Sequence, residues 1–217
     1  TRSSLAEVRA ATPGLGHRSL DDLEATHRHL LETMHVEVLA GRVSIDDARA
    51  ERFDRLMTAA GMPHTREHAV GVAQVYRRAY EQVWRAVTGA LPLVKAIRQA
   101  GVKLVIVTNN VVHEQTIKLD RCGLAAYVDA LVTSEGVGVA KPDPRIFEVA
   151  LAEAGATADE AVMIGDAWAT DIDGARAAGI RAVWLNRFGA PHPDPSVPQL
   201  RSLEPTADVL RMLYGAG

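Results

Sequence analysis

The chain has 217 residues, 47% hydrophobic and 24% charged, with a formal net charge of −3. This is an ordinary globular composition, large enough for one good core plus a subdomain, and its mild negative charge gives no basic field for nucleic acid. The lone Cys122 excludes an internal disulfide and suits a reducing cytoplasm; no apolar run approaches the roughly 20 residues that span a bilayer.

Residues 1–88 carry helical patterns only. Ser4-Leu5-Ala6-Glu7 already reads as helix. Ser19 to Asp22 and Ser44 to Asp47 fit capping boxes with Asp in place of Glu. After Ser44, the apolar residues Ile45, Ala48, Phe53, Leu56 and Met57 recur near helical spacing, and Gly61 and Pro63 stop that helix. Thr65 caps another helix that runs through Tyr76, Tyr80, Val83 and Trp84.

From residue 89 the rhythm changes. VKLVIVT (102–108) is a nearly continuous apolar run that suits a strand buried on both faces. A helix through Ile117 and Leu119 ends at Gly123, and DALVTS (129–134) is a second strand. Helix 144–154, strand 161–165, helix 168–178 and strand 181–185 follow, then a Pro-rich loop (190–198) and a last helix near 206–213. Strands alternating with helices predict βαβ units and a parallel sheet, hence an α/β domain over 89–217 after a helical domain over 1–88.

Ligands of an open parallel sheet gather beyond the carboxyl ends of its strands. There the sequence places Thr108-Asn109-Asn110, then Ser134-Glu135 leading to Lys141-Pro142, then Gly165-Asp166 with Asp171 on the next turn. Mg²⁺ takes one or two carboxylates plus phosphate oxygens and water, and Asp166 is placed to be such a ligand. Asp171 can ligate through water or orient the direct ligands. The Thr108 hydroxyl and the following backbone N–H can hold phosphoryl oxygens. Lys141 brings positive charge for a phosphoryl group or for a neighbouring carboxylate. The set is an electrostatic clamp for phosphoryl transfer that lacks a nucleophile.

Each residue also has a plainer reading. Asp166 and Asp171 can simply charge a helix N-terminus; Thr108 can be a strand-end hydroxyl, Lys141 a solvated cation, and Asn109 and Asn110 turn residues. His64 and His68 stand four apart but lack a third zinc ligand in the metalloprotease pattern. His27, His29 and His35 read as surface or core-edge residues. Arg77, Arg78 and Arg85 read as a solvated helix face. Trp84, Trp168 and Trp184 read as packing residues, with Trp168 close to the site mouth.

VIVTNN, GVAKPDPRIF and VMIGDAWATDIDGARAAGI resemble motifs II, III and IV of the haloacid dehalogenase (HAD) superfamily, in order and at family spacing over about residues 90–186. LAGRVSIDDARAERFDRLMTAAG resembles the family's C1-type helical cap, and the likeness is to YjjG-like nucleotidases and small-molecule phosphatases. The resemblance implies a HAD-like Rossmannoid parallel sheet with an N-terminal helical cap. It also implies a Mg²⁺-dependent phosphomonoester hydrolase of a small phosphorylated metabolite such as a nucleotide. Asp166 and Asp171 would serve the metal, Thr108, Asn109 and Lys141 the phosphate, with Lys141, Thr108 and Asp171 catalytic.

Family motif I, Asp-x-Asp on the first strand, is not in this sequence. Thr1 falls roughly where the family has just left it, so the aspartyl nucleophile is expected outside the chain and the sheet is expected to lack its central strand. Two other readings follow: a haloacid dehalogenase, which uses the scaffold without metal, and a non-catalytic phosphate-binding protein. The remaining expectations are a cytoplasmic monomer or homodimer without nucleic-acid or membrane partners.

Overall fold

In the computed structural model the described residues run from Arg2 to Gly215, the side chains of His35 and Leu39 excepted. The chain divides into two compact units, Thr1–Trp84 and Arg85–Gly217.

The first unit is helical: α1 (Arg2–Ala11), α2 (Leu20–Leu39), α3 (Ile45–Ala59) and α4 (Arg66–Gln82). Ser19, Ser44 and Thr65 cap α2, α3 and α4 through side-chain oxygens that accept from the N–H of Asp22, Asp47 and His68. Each cap satisfies a donor the helix itself cannot, and is worth about 1 kcal/mol. Leu5, Val8, Leu23, Phe53, Leu56, Met57 and Val72 form the core. His27 lies inside it, 1% exposed, with its ring 4.8 Å from that of Tyr76 and 5.7 Å from that of Phe53. This corrects the surface or core-edge expectation for His27; its place on the apolar stripe of α2 puts it inward. His29 is exposed, and the side chain of His35 lies outside the described residues.

The second unit opens with α5 (Ala90–Gln99), then β1 (Val105–Thr108), α6 (Val112–Arg121), β2 (Ala130–Thr133), the single turn α7 (Ser134–Val137), α8 (Pro144–Ala154) and β3 (Val162–Gly165). A π-helical turn (Trp168–Ile172) leads into α9 (Asp173–Ala177), followed by β4 (Arg181–Leu185), β5 (Gln199–Leu200) and α10 (Thr206–Tyr214). All strand pairs are parallel. Side chains alternate between two helix-covered layers. Met163, Ala182 and Trp184 join Ile146, Phe147 and Ala175, whereas Val162, Ile164, Val183 and Leu185 join Leu93, Ile97 and Val209. This is the period of two expected of a strand with helices on both faces.

The strands form two separate sheets, β1–β2 and β3–β4–β5. Val105 and Val107 of β1 share a core cluster with Met163 of β3, so the two sheets cover one layer without pairing across the junction. The run at 102–108 is therefore only half-buried, contrary to the doubly buried strand expected: β1 has β2 on one edge and no strand on the other among the described residues. The expected helix 168–178 likewise departs from α geometry in its first turn.

Candidate active site

Gly165, the last residue of β3, packs directly on Asp171. A Cβ on Gly165 would stand 2.3 Å from the Asp171 Cβ, so a bare backbone is needed for the carboxylate to fold back over the strand end. The π turn carries it there. Asp171 is 4% exposed, and its Oδ2 accepts from the N–H of Ala167 at 3.1 Å.

Lys141 reaches the same point from the α7–α8 connection. Its Nζ donates to Asp171 Oδ1 at 2.7 Å and to the backbone oxygen of Val107 at 2.8 Å. One ammonium thus ties the end of β1 to the turn after β3, across the unpaired junction. Asn109 fixes the lysine from the other side: its Nδ2 donates to the Lys141 oxygen at 2.9 Å and its Oδ1 accepts from the Lys141 N–H at 2.6 Å. Gln115 donates through Nε2 to the Thr108 hydroxyl oxygen at 2.7 Å, which leaves the Thr108 proton available to an acceptor. Gln115 has no mark in the sequence beyond its place one turn into α6, and the sequence reading missed it.

Asp166 differs from Asp171. Its side chain is 59% exposed, and its carboxylate accepts no hydrogen bond among the described residues. The nearest cation is Arg187, with Nη2 3.9 Å from Oδ2. The Asp166 backbone oxygen accepts from Trp184 Nε1 at 3.1 Å, which holds the strand end in place. Trp168 stands edge-on to Trp184 and to His192, with centroids 5.1 and 5.6 Å apart.

The five sequence-marked residues lie around the ends of β1 and β3. The Asp171 oxygens are engaged by Lys141 and Ala167, so Asp171 holds Lys141 in place. The Asn109 amide is likewise engaged with the Lys141 backbone, through its oxygen and one of its two N–H donors. Asp166 is the carboxylate with free oxygens for a hard cation, and it is one ligand rather than a cage. No group of three or more His, Cys, Asp or Glu side chains clusters among the described residues. His64 lies elsewhere, its ring nitrogens against Met62 oxygen at 2.8 Å and Asp54 Oδ1 at 3.2 Å.

Over residues 8–179 the chain matches the hydrolase family described as haloacid dehalogenase-like hydrolase. The chain belongs to the haloacid dehalogenase-like hydrolases. It is 34% identical over 187 residues to a phosphoserine phosphatase of Thermus thermophilus, covering 86% of this chain and 72% of that protein. It is 37% identical over 126 residues to the pyrimidine 5′-nucleotidase YjjG of Escherichia coli, covering 58% of this chain and 56% of that protein. Several of the curated relatives are thus spanned over only about half their length. Among solved structures, the HAD-hydrolase YfnB of Bacillus subtilis, bound to magnesium, superposes with a TM-score of 0.76 at 25% identity, over 96% of this chain and 90% of that one. A 2-haloacid dehalogenase of Pseudomonas syringae superposes with a TM-score of 0.63 at 25% identity, over 97% and 90%. As a HAD-like hydrolase the chain has the Rossmannoid α/β fold that the motif order implied, and it is an enzyme by family. No helix among the described residues is long and apolar enough to cross a membrane.

Proposed function

We propose that the protein is a Mg²⁺-dependent phosphomonoester hydrolase of a small phosphorylated metabolite. The observation that carries this reading is the pairing of a free and an engaged carboxylate at one strand end: Asp166 open, Asp171 buried on Lys141. A hydrolase that works on a phosphate dianion needs a hard-cation ligand and a fixed positive charge: Asp166 supplies the first, and Lys141, held by Asp171, the second. The phosphatases among the relatives and the magnesium in the YfnB structure support the same reading.

In this reading Mg²⁺, when bound, neutralises charge on the phosphoryl oxygens and is held by Asp166. Lys141, fixed by Asp171, Val107 and Asn109, keeps its remaining donor capacity near the β1 end. The Thr108 hydroxyl donates to a phosphoryl oxygen, with Gln115 holding its oxygen in place. By the resemblance to the family, the nucleophile would be an aspartate of an Asp-x-Asp motif on a strand between β1 and β3, where it would pair with both edges. That aspartate would attack phosphorus as the P–O bond to the alcohol breaks; the motif's second aspartate would protonate the leaving oxygen and then take a proton from the water that hydrolyses the aspartyl-phosphate. The helical unit acts as the cap and the α/β unit as the core.

The test is a panel of phosphomonoesters and 2-haloacids assayed with and without Mg²⁺. Mg²⁺-dependent phosphate release is the expected result where that aspartate is present; metal-independent halide release from 2-haloacids overturns it. The dehalogenase reading is disfavoured by Asp166, since a metal-free site has no use for an exposed, unbonded carboxylate at the strand end.

A further inference from the structure

Beyond β4, Asn186 is 3% exposed, and its amide holds Ala190 from both sides: Nδ2 donates to the Ala190 oxygen and Oδ1 accepts from the Ala190 N–H, each at 2.9 Å. Its Nδ2 also donates to Gln199 Oε1 at 3.0 Å. This buried clamp pinches residues 187–189 into a projecting turn. Gly189 supplies the left-handed backbone there, with φ at +68°. Behind the turn, His192 is wedged edge-on against Trp168 and Trp184, with Nε2 on the Val197 oxygen, so the loop is anchored on both flanks.

The turn presents Arg187 and Phe188. Phe188 is 86% exposed, far more than an aromatic side chain gains by facing water. The Arg187 guanidinium lies 5.0 Å from the Phe188 centroid, a cation–π arrangement that restrains its plane. It makes no hydrogen bond among the described residues, and its nearest carboxylate is Asp166 at 3.9 Å. A fork of donors thus stands 3.9 Å from the proposed metal ligand, without a hydrogen-bond acceptor among the described residues.

We infer that Arg187 determines specificity: its guanidinium takes a second anionic group on a phosphomonoester whose phosphoryl group is held beside Thr108 and Lys141. This rests on the phosphomonoesterase reading and narrows it to substrates with a carboxylate or a second phosphate a few bonds from the scissile phosphate. Bidentate geometry suits either anion. A phosphomonoester without a second anionic group would leave the guanidinium in water.

The experiment is calorimetric binding at saturating Mg²⁺ of three probes: methyl phosphate, 2-phosphoglycolate and ethylene glycol bisphosphate. Arg187→Ala is expected to weaken 2-phosphoglycolate, the bisphosphate, or both by about tenfold, as for a half-exposed charged hydrogen bond, and to leave methyl phosphate unchanged. Whichever probe loses affinity identifies the anion. Arg187→Lys, which keeps charge but not the fork, is expected to retain part of the preference. Equal weakening of all three probes, or of none, overturns the role of Arg187. Failure of the wild type to bind any of the three in Mg²⁺ overturns the phosphomonoesterase reading itself, and with it the narrower claim.

Discussion

Lys141 Nζ lies 2.7 Å from Asp171 Oδ1, with both residues under a tenth exposed, so each buried charge is tolerable only through the other. Removing one partner leaves an uncompensated ion. Lys141→Met is expected to cost about 3 kcal/mol or more in urea unfolding, and Asp171→Asn a comparable amount. The double variant should lose clearly less than the sum, with a coupling of about 1 kcal/mol or more. Additive losses would mean that the contact does not organise the site. In the active enzyme Lys141→Met should also lower kcat by about a hundredfold.

Gly165 and Gly71 should respond to alanine with opposite signs. A Cβ on Gly165 collides with Asp171 at 2.3 Å, whereas one on Gly71, inside α4, meets nothing within 4 Å. Gly165→Ala is expected to cost about 2 kcal/mol through forced repacking. Gly71→Ala is expected to stabilise by about 0.5–1 kcal/mol through helix propensity. Thermal or urea unfolding of the pair checks both.

Burial pushes the His27 imidazole down to about 3, with the Arg52 charge beside it a smaller contribution in the same direction. Unfolded, the ring titrates at about 6.5, so between these values the unfolded chain binds the extra proton. Stability from a neutral His27 is therefore complete above pH 6.5 and is lost as pH falls towards 3, at up to about 1.4 kcal/mol per pH unit. His27→Phe, which keeps an aromatic beside Phe53 and Tyr76, should flatten the unfolding free energy between pH 6.5 and pH 4.5 relative to wild type. Parallel profiles for the two proteins would place the ring in water.

β1 and β3 each expose an apolar edge to the junction between the two sheets. Open edges recruit strands. Residues 1–217 with the junction empty are expected to self-associate in sedimentation velocity as concentration rises, and to turn over phosphomonoesters poorly. A strictly monomeric chain with full turnover would contradict the need for a strand in the junction.

Local signals carried most of the fold. Ser19, Ser44 and Thr65 are helix caps because short side-chain oxygens before an apolar run have one good use, and the alternation of β-branched runs with helices implies parallel strands. The helix at 90–99 and the two-residue β5 passed unmarked: the first begins at a glycine without a capping side chain, and the second is too short to show a period. The candidate residues were legible, but their division of labour was not. Lys141 was open to a phosphate or a carboxylate, and only three-dimensional proximity selects Asp171. Asn109 lies 32 positions from the backbone it clamps, a separation no local pattern encodes. His27 reads as polar in sequence, and its burial depends on where α3 and α4 close over α2.

The central claim is that Asp166 binds Mg²⁺ and that the metal, with Lys141 and Thr108, holds phosphate. Calorimetric titration of inorganic phosphate, with and without saturating Mg²⁺, tests it without requiring turnover. Phosphate binding is expected to need Mg²⁺ and to be lost in Asp166→Asn, while the variant keeps the wild-type unfolding midpoint in metal-free buffer. Phosphate binding that ignores Mg²⁺, or that survives Asp166→Asn unchanged, would contradict it.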